Sequence, residues 1–273
     1  MLIAVDEISD PRIDVFLGLR DKSLRQRREA PGGDLAGVFI AEGDIVIERA
    51  IAAGYKLRSV LIDAKRTRAL PDQFDDVDVF AAGEHLLEHI AGYRSYRGAM
   101  GCFYRKEVNT LEDLLNDDSI KSVVVVEGIN NPTNLGTIMR CAAGLGIEAL
   151  LLSPDSIDPL SRRCCRVSMG EGFAIPYAWL SDMTTGIGAI KKAGMEVLGM
   201  TPRNDGIDIS TLQFASADRV AVMLGSEGPG LSEVALSMAT RLVRIPMFGS
   251  VDSLNVGNAA AVAFYALSQA RKR

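Results

Sequence analysis

Residues 122–154, SVVVVEGINNPTNLGTIMRCAAGLGIEALLLSP, contain a strand, a helix and a second strand in close succession. The four consecutive valines form a β-branched run of the kind found in strands that are buried on both faces. NLGTIMRCAAGLG predicts a helix that ends with Gly144 as its C-cap, and EALLLSP predicts the next strand. This order predicts parallel strands that are connected by a helix.

The alternation of strands and helices continues on both sides of this stretch. Further strands are predicted at AIPYAWL, MEVLGMT, RVAVMLG and RLVRIPM, before a closing helix at NAAAVAFYALSQA. In the first hundred residues, strands are predicted at VFIAEG, LRSVLID, VDVFAAG and GAMGCFYRK, and helices at DPRIDVFLGLRDKSLRQRRE, DIVIERAIAAGY (with Asp44 as N-cap) and EHLLEHIAGY. We therefore predict a small α/β domain at residues 1–106, a linker at 107–120, and an α/β domain with a mostly parallel sheet at 121–273.

The charge of the chain restricts how it could contact nucleic acid. It carries 30 Lys+Arg against 35 Asp+Glu, a net charge of −5, so an RNA contact must come from local patches. Two segments are basic, LRDKSLRQRR at residues 19–28 and YKLRSVLIDAKRTR at residues 55–68. Each is either a solvated face or an RNA-binding patch, and in the first segment the candidate RNA contacts are Arg25, Arg27 and Arg28.

Cysteine and histidine usage predicts no metal site. Cys102, Cys141, Cys164 and Cys165 lack ligand spacing, and the two histidines lie in EHLLEH, which is not the HExxH order of a zinc protease. Reduced thiols fit a cytoplasmic protein. MLIAVDEISD is too short and acidic for a signal peptide, and no apolar run approaches the length of a membrane span.

Three loops are candidates for a ligand site, because ligands of open α/β sheets bind outside the carboxyl ends of the strands. They are EGINNPTNLGTIMR after Val126, LGSEGPGLSE after the strand at Leu224, and the residues after Ile245. The chain has no GxxxxGK(S/T) phosphate loop. A relaxed GxGxxA at residues 144–149 ends a helix, whereas a dinucleotide fingerprint follows a strand, so a nucleotide-dependent oxidoreductase is disfavoured.

The first two loops carry the candidate catalytic groups. Asn134 lies near a helix start, where amides can meet an anion or a hydroxyl. Arg140, nearly two turns further along, either reaches a phosphate or ribose or is simply an exposed helix arginine. Glu227 lies between glycines that allow close approach of a ligand, and it either pairs with Arg140 or caps the next helix.

The third loop, IPMFGSVDSLNVGNAAA, alternates apolar and polar residues. Leu254 and Val256 can contact a flat apolar face, while Ser253 and Asn255 offer hydrogen bonds. An adenine-like ring would suit such a site.

Taken together, NPTNLGTIMR, LGSEGPGL and IPMFGSVDSLNVGNAAA resemble motifs 1, 2 and 3 of the SpoU/TrmH group of the SPOUT superfamily, in order and at the family's spacing. These proteins are S-adenosylmethionine-dependent RNA ribose 2′-O-methyltransferases. VFIAEGDIVIERAIAAG, VLI and YRGAMGCF resemble the family's substrate-binding domain, which is like ribosomal protein L30e. The resemblance implies an L30e-like domain followed by a SPOUT domain whose C-terminal chain forms a trefoil knot.

The resemblance also implies the roles of individual residues. Arg140 matches the arginine that acts on the ribose hydroxyl, and Asn134, Glu227 and Asn255 match the polar residues around it. The implied cofactor-binding residues are Leu224, Gly225, Ile245, Met247, Ser253 and Leu254. A guanidinium hardly deprotonates, so we expect Arg140 to act electrostatically, with a phosphate oxygen or Glu227 accepting the proton.

The resemblance therefore implies a homodimeric RNA ribose 2′-O-methyltransferase, and the composition predicts a cytoplasmic protein that binds no metal and no membrane. Its L30e-like part favours rRNA over tRNA as substrate, and the target nucleotide is not predicted. One position departs from the family, because Gly257 stands where serine is common, followed by Asn258, which could supply the lost hydrogen bond. This departure leaves open an alternative, an RNA-binding or assembly protein of the same fold that no longer transfers methyl groups.

Overall fold

The computed structural model describes residues 2–19, 22–30, 32–74, 76–92, 98–215 and 218–270, with the backbone alone at 22, 23, 25, 26 and 73. The chain forms two compact units. Unit 1 comprises Met1–Glu107 and Leu160–Gly170, and unit 2 comprises Val108–Pro159 and Glu171–Arg273. The sequence placed Leu160–Gly170 in the C-terminal domain, whereas the structure places this segment in unit 1.

The strands of unit 1 form one sheet in the order β1-β4-β3-β5-β2. Its strands are β1 (Leu2–Val5), β2 (Val38–Glu42), β3 (Leu57–Asp63), β4 (Asp78–Ala82) and β5 (Ala99–Tyr104). Strand β4 is parallel to β1 and β3, while β5 is antiparallel to β2 and β3. Four of these strands were predicted, but β1 was not.

The α-helices of unit 1 differ from the prediction in detail. They are α1 (Lys22–Glu29), α2 (Asp44–Ala52), α3 (Glu84–Ala91) and α6 (Arg162–Val167). The two helices between α3 and α6, α4 (Leu111–Asn116) and α5 (Pro132–Leu145), belong to unit 2. The stretch predicted as one helix near the N-terminus forms a 3-10 helix, Pro11–Phe16, and then α1. Asp44 is not an N-cap, since Gly43 occupies that position and the Asp44 carboxylate binds Arg66 at 2.9 Å instead.

Helix α6 is held to strand β2 by a buried carboxylate. Glu42 is 3% exposed, and its side chain binds Arg162 at 2.7 Å and Arg166 at 3.3 Å. A carboxylate can be buried in this way only when it is paired and hydrogen-bonded. The two arginines therefore explain why a segment so distant in sequence belongs to unit 1.

Unit 2 contains a parallel sheet in the order β10-β12-β9-β11-β6-β7-β8, which confirms the predicted class of fold. Its strands are β6 (Ser122–Glu127), β7 (Ala149–Leu152), β8 (Tyr177–Trp179), β9 (Glu196–Met200), β10 (Ile207–Asp208), β11 (Val220–Gly225) and β12 (Arg241–Arg244). Besides α4 and α5, its helices are α7 (Met183–Lys192), α8 (Glu233–Met238) and α9 (Val256–Ala270). The four valines of β6 are fully buried, as the β-branched run predicted.

Helix α5 ends later than predicted. It extends to Leu145, and its C-cap is Gly146, with a φ of +79° and an N–H that donates to Ala142. Gly144 is therefore an interior residue of the helix. The helix C-cap still explains the glycine pattern, because Gly146 precedes β7 rather than opening a helix.

The arrangement of the strands brings the candidate loops to one edge of the sheet. Strand β11 lies between β6 and β9, with Gly225 opposite Glu127, and β12 pairs with β9. Because all four strands are parallel, the loops that follow them meet at their carboxyl ends. The knotted threading and the likeness of unit 1 to ribosomal protein L30e stay predictions from the resemblance. Within the described ranges, no helix is long and apolar enough to span a membrane.

Candidate active site

A cavity of about 350 Å³ lies at the carboxyl edge of the sheet of unit 2. Its size falls in the range of small-molecule sites. All six residues that the resemblance implied for cofactor binding line it: Leu224, Gly225, Ile245, Met247, Ser253 and Leu254. Two of the three loops predicted from the sequence, those after β11 and β12, therefore form one cavity, whereas no residue of the loop after β6 lines it.

Sequence reasoning missed one wall of the cavity. Met200, Thr201 and Pro202, at the end of β9 and after it, also line the cavity. The signal was present, because MEVLGMT was identified as a strand of the same parallel sheet. Its carboxyl end had to lie at the same edge as the other three loops.

The loop after β11 folds back so tightly that Gly225 cannot be replaced by a larger residue. A Cβ atom there would stand 2.1 Å from the carbonyl carbon of Gly230, far inside contact distance. The fold-back is closed by the Gly230 N–H, which donates to the Ser226 carbonyl at 3.0 Å. Gly228 and Gly230 have φ values of +89° and +73°, which favour glycine. The backbone itself thus forms this part of the cavity wall.

The polar residues of the three loops meet in a network centred on Asn255. Its amide Nδ2 donates to Glu227 Oε1 at 2.5 Å and to Asn134 Oδ1 at 3.1 Å. Its Oδ1 accepts a hydrogen bond from the Gly257 N–H at 2.9 Å. Because a backbone N–H can only donate, this contact fixes the amide so that its NH2 faces Glu227. Three of the four predicted catalytic residues are therefore in direct contact.

Neither role suggested for Glu227 by its position in the sequence is present. The N-cap of α8 is Ser232, whose N–H and hydroxyl donate to the carboxylate of Glu127 at 2.8 and 2.7 Å. In the described part of the chain, no ion pair joins Glu227 to Arg140. Glu127, which sequence reasoning missed, orders the loop after β11 from the end of β6.

Arg140 is separated from this network. It is exposed on α5 and does not line the cavity, while Asn134 on the same helix is 6% exposed. Its neighbour Cys141 is partly buried, and burial raises the pKa of the Cys141 thiol, an effect that the charge of Arg140 opposes. The structure thus leaves the Arg140 guanidinium accessible to a ligand outside the cavity.

The start of α5 places Asn134 in the network. Asn131, not Asn134, is the N-cap, and its side chain accepts from the Thr133 N–H at 2.9 Å. Pro132 occupies the first turn, where its missing N–H costs nothing. The Asn134 side chain therefore does not serve as the cap and can donate and accept hydrogen bonds inside the site.

Close packing of α5 against α9 explains the glycine at position 257. A Cβ atom on Gly257 would lie 2.8 Å from Thr137 Cγ2 and 3.0 Å from its Cβ. Thr137 thus occupies the space that a serine side chain at 257 would need. Asn258 is exposed, and the hydrogen bond to the Asn255 Oδ1 comes from the Gly257 backbone.

In the first basic patch, the charge of Arg28 is neutralised by two carboxylates. The guanidinium of Arg28 binds the carboxylates of Asp34, at 2.6 Å, and Asp14, and these contacts, led by that with Asp34, raise the pKa of Arg28. Arg27 is exposed, and the side chain of Arg25 lies outside the described residues. Arg28 is therefore a poor candidate for a phosphate contact. No cluster of three metal-ligating side chains occurs among the residues that the structure describes.

A cavity with a carboxamide–carboxylate network at the carboxyl edge of a parallel α/β sheet is the arrangement of a small-molecule site in an open α/β fold. The SpoU rRNA Methylase family matches residues 121–265, just over half of the chain. A Mycobacterium tuberculosis relative, described as an uncharacterized tRNA/rRNA methyltransferase, is 34% identical over 259 residues, covering 94% of this chain and 88% of the relative.

Two further comparisons agree with this match. The 23S rRNA (guanosine-2′-O-)-methyltransferase RlmB of a Burkholderia species is 27% identical over 200 residues, covering 71% of this chain and 79% of that protein. An AdoMet-bound rRNA methyltransferase from Sinorhizobium meliloti shares the fold, with a TM-score of 0.81, 24% identity and 98% coverage of both chains.

The chain belongs to the SpoU rRNA Methylase family. The resemblance identified from its three motifs is thereby confirmed. It is an RNA ribose methyltransferase whose methyl donor is S-adenosylmethionine.

Proposed function

We propose that this enzyme methylates a ribose 2′-oxygen of ribosomal RNA, using the cavity of unit 2 to hold its cofactor. The observation that carries the proposal is the Asn134–Asn255–Glu227 network, whose last two members line the cavity. The relative from Burkholderia, a 23S rRNA methyltransferase, supports rRNA over tRNA.

The residues of the cavity fit S-adenosylmethionine. Leu224, Ile245 and Leu254 offer apolar walls for an adenine ring, and Ser253 offers a hydroxyl to the polar parts of the cofactor. Gly225 contributes main-chain atoms to the cavity wall. When bound, the cofactor supplies a methyl group that its sulfonium already activates.

The remaining task is to align the ribose hydroxyl and to remove its proton. For this methyl group to pass from the sulfonium to the 2′-oxygen, the hydroxyl proton must leave. Glu227 is placed to accept it, because Asn255 donates to Oε1 and so orients the carboxylate, while Oε2 accepts no hydrogen bond from the residues that the structure describes. Asn134 is held by the same amide and positions the hydroxyl.

Arg140 acts through a homodimer in this proposal. It is exposed and lies outside the cavity of its own chain, so the cavity that it serves is that of a second copy. Val262 and Tyr265 on α9 are 38% and 58% exposed and offer apolar surface for the partner. The guanidinium stabilises the developing charge on the 2′-oxygen or holds an adjacent phosphate.

The alternative function, an RNA-binding or assembly protein without methyl transfer, is no longer favoured by the glycine at position 257. It was motivated by Gly257, and the structure explains that glycine by the packing of Thr137. The hydrogen bond to Asn255 Oδ1 is made by the backbone.

Calorimetric titration with S-adenosylmethionine and transfer of radiolabelled methyl to rRNA test the proposal together. We expect Leu254→Arg to lose cofactor binding, because a long charged side chain enters the cavity. We expect Glu227→Gln to bind the cofactor as the wild type does but to transfer methyl roughly 100-fold more slowly, the usual contribution of a general base. Wild-type transfer rates in Glu227→Gln would exclude Glu227 as the proton acceptor.

A further inference from the structure

The second basic segment, YKLRSVLIDAKRTR at residues 55–68, is only partly neutralised in unit 1. The later cations of the segment form the ion pairs Lys65–Glu84, Arg66–Asp44, Arg68–Asp44 and Arg68–Glu48. Lys56 and Arg58, at the start of β3, are exposed and form no ion pair within the ranges that the structure describes. Two positive charges of this segment are therefore available to an anionic ligand.

Lys56 and Arg58 line a cavity of about 380 Å³ in unit 1, together with Tyr55, Tyr104 and Asp76. This cavity is as large as the one in unit 2 and lies in the size range of ligand sites. None of the residues proposed for methyl transfer lines it.

The aromatic ring of Tyr104 gives the cavity a stacking surface. Tyr104 ends β5 and is 44% exposed, and its N–H donates to the Lys56 carbonyl at 2.9 Å. The Lys56 Nζ stands 6.0 Å from the ring centroid, at the outer limit of a cation–π contact. The Tyr104 backbone is thus fixed while its ring is only lightly held. Nucleobases stack on such rings in RNA-binding proteins.

Asp76 adds a means of distinguishing bases. Its exposed carboxylate lines the same cavity and only accepts hydrogen bonds when ionised. Cytosine and adenine carry an amino group that can donate a hydrogen bond to a carboxylate, as in direct readout of nucleic acids. Uracil lacks this amino group, and its single N3–H donor lies between two carbonyl oxygens, which a carboxylate repels. The cavity therefore favours bases that carry an amino group.

We propose that this cavity binds one nucleotide of a single-stranded RNA segment, with its base on Tyr104, its amino group at Asp76 and its phosphate at Lys56 and Arg58. The proposal rests on the RNA substrate of the proposed function, but it concerns a site in unit 1 that is separate from the cofactor cavity. It assigns unit 1 an RNA contact that does not involve the first basic patch, where Arg28 is paired with two carboxylates.

Fluorescence anisotropy of labelled octanucleotides, titrated with the 273-residue chain, tests this site. We expect oligocytidine to bind more tightly than oligouridine, and Asp76→Asn to reduce that difference. Tyr104→Ala should weaken oligocytidine binding roughly tenfold through loss of stacking, whereas Tyr104→Phe should preserve it. Arg58→Glu should weaken binding and lower the slope of log affinity against log salt by about 0.7 for the lost phosphate contact.

Lys192→Glu, a charge reversal at an exposed lysine of α7 in unit 2, is the matched control and should leave the affinity unchanged. Unchanged affinity in both Tyr104→Ala and Arg58→Glu would overturn the proposal. Competition by cytidine monophosphate as strong as that by the oligonucleotide would also overturn it, because the ligand would then be a free nucleotide. Cofactor titration of the same variants reports separately on the methyl-transfer site, so failure of one proposal does not imply failure of the other.

Discussion

Gly257 is the residue at which packing and the polar network of the site depend on each other. It begins the close contact of α9 with Thr137, and its N–H orients the Asn255 amide. A side chain at position 257 would have to displace a branched side chain of a neighbouring helix, and such overpacking distorts cores.

We expect Gly257→Ala to lower the free energy of unfolding by about 1–3 kcal/mol, the usual cost of overpacking. Thr137→Ser, which removes the nearer of the two colliding atoms, should restore part of this loss in the double variant. Chemical denaturation of the three variants measures both effects.

Gly188→Ala provides the control, since Gly188 lies in α7 with open space where its Cβ would be. There alanine should stabilise the helix by about 1 kcal/mol. Equal effects at positions 188 and 257 would show that Thr137 does not restrict the α5–α9 contact.

At the scale of the elements, hydrogen-bonded aspartates at helix ends connect the stability of the fold to pH. Asp182 caps α7, where its Oδ1 accepts from the Thr185 N–H at 2.8 Å. This backbone hydrogen bond, together with the contact to the Thr185 side chain, lowers the pKa of Asp182 below its usual value of 3.8. Because the pKa is lower in the folded state, the stabilisation is complete above pH 3.8 and is lost as the pH falls through the lowered value.

Asp182→Asn keeps a capping side chain but removes the titrating charge. We expect the wild type to have the higher melting temperature near neutral pH, because a negative charge is favourable at a helix N-terminus. The difference should shrink as the pH falls below about 4. Thermal unfolding followed by circular dichroism between pH 2.5 and 6 measures this trend, and a difference independent of pH would contradict it.

Elements whose own sequence carries the signal were predictable. The valines of β6 and the alternation that follows gave the parallel sheet, and the parallel sheet gave the edge at which the loops meet. Elements defined by distant contacts were not predictable. Strand β1 exists because it pairs with β4, and α6 belongs to unit 1 because Glu42 binds its arginines. Neither partner can be read from the local pattern.

The candidate site shows the same division between local and distant signals. The second and third motifs contain most of the residues that line the cavity, because loops after parallel strands must converge. The hydrogen bonds of the site were not predictable, because the partners are far apart in sequence. Asn255 bonds to Glu227, and Ser232 bonds to Glu127, only in the folded chain. Arg140 remained ambiguous because its helix has both a buried and an exposed side.

At the scale of the whole molecule, the proposed homodimer makes a quantitative prediction. If Arg140 serves the cavity of the partner subunit, Arg140→Ala and Leu254→Arg are each inactive alone but complement each other in a mixed dimer. Random mixing makes half of the dimers mixed, each with one intact site of two, so about a quarter of the wild-type activity should return.

Methyl transfer by the two variants, unfolded and refolded together, measures this recovery. The two variants refolded separately and then combined provide the control. No recovery in a mixture that forms mixed dimers would place Arg140 at the cavity of its own chain.

The division of the chain between the two units has a consequence for its synthesis. Unit 1 begins the chain, yet the arginines that bind Glu42 are encoded beyond β6, α5 and β7 of unit 2. A ribosome adding roughly 5–20 residues per second needs several seconds to proceed from Glu107 to Arg166. During that interval β2 has been synthesised, but α6, whose arginines bind Glu42, has not. Unit 1 therefore cannot complete its folding before synthesis of unit 2 has begun, and the folding of the two units must overlap in time.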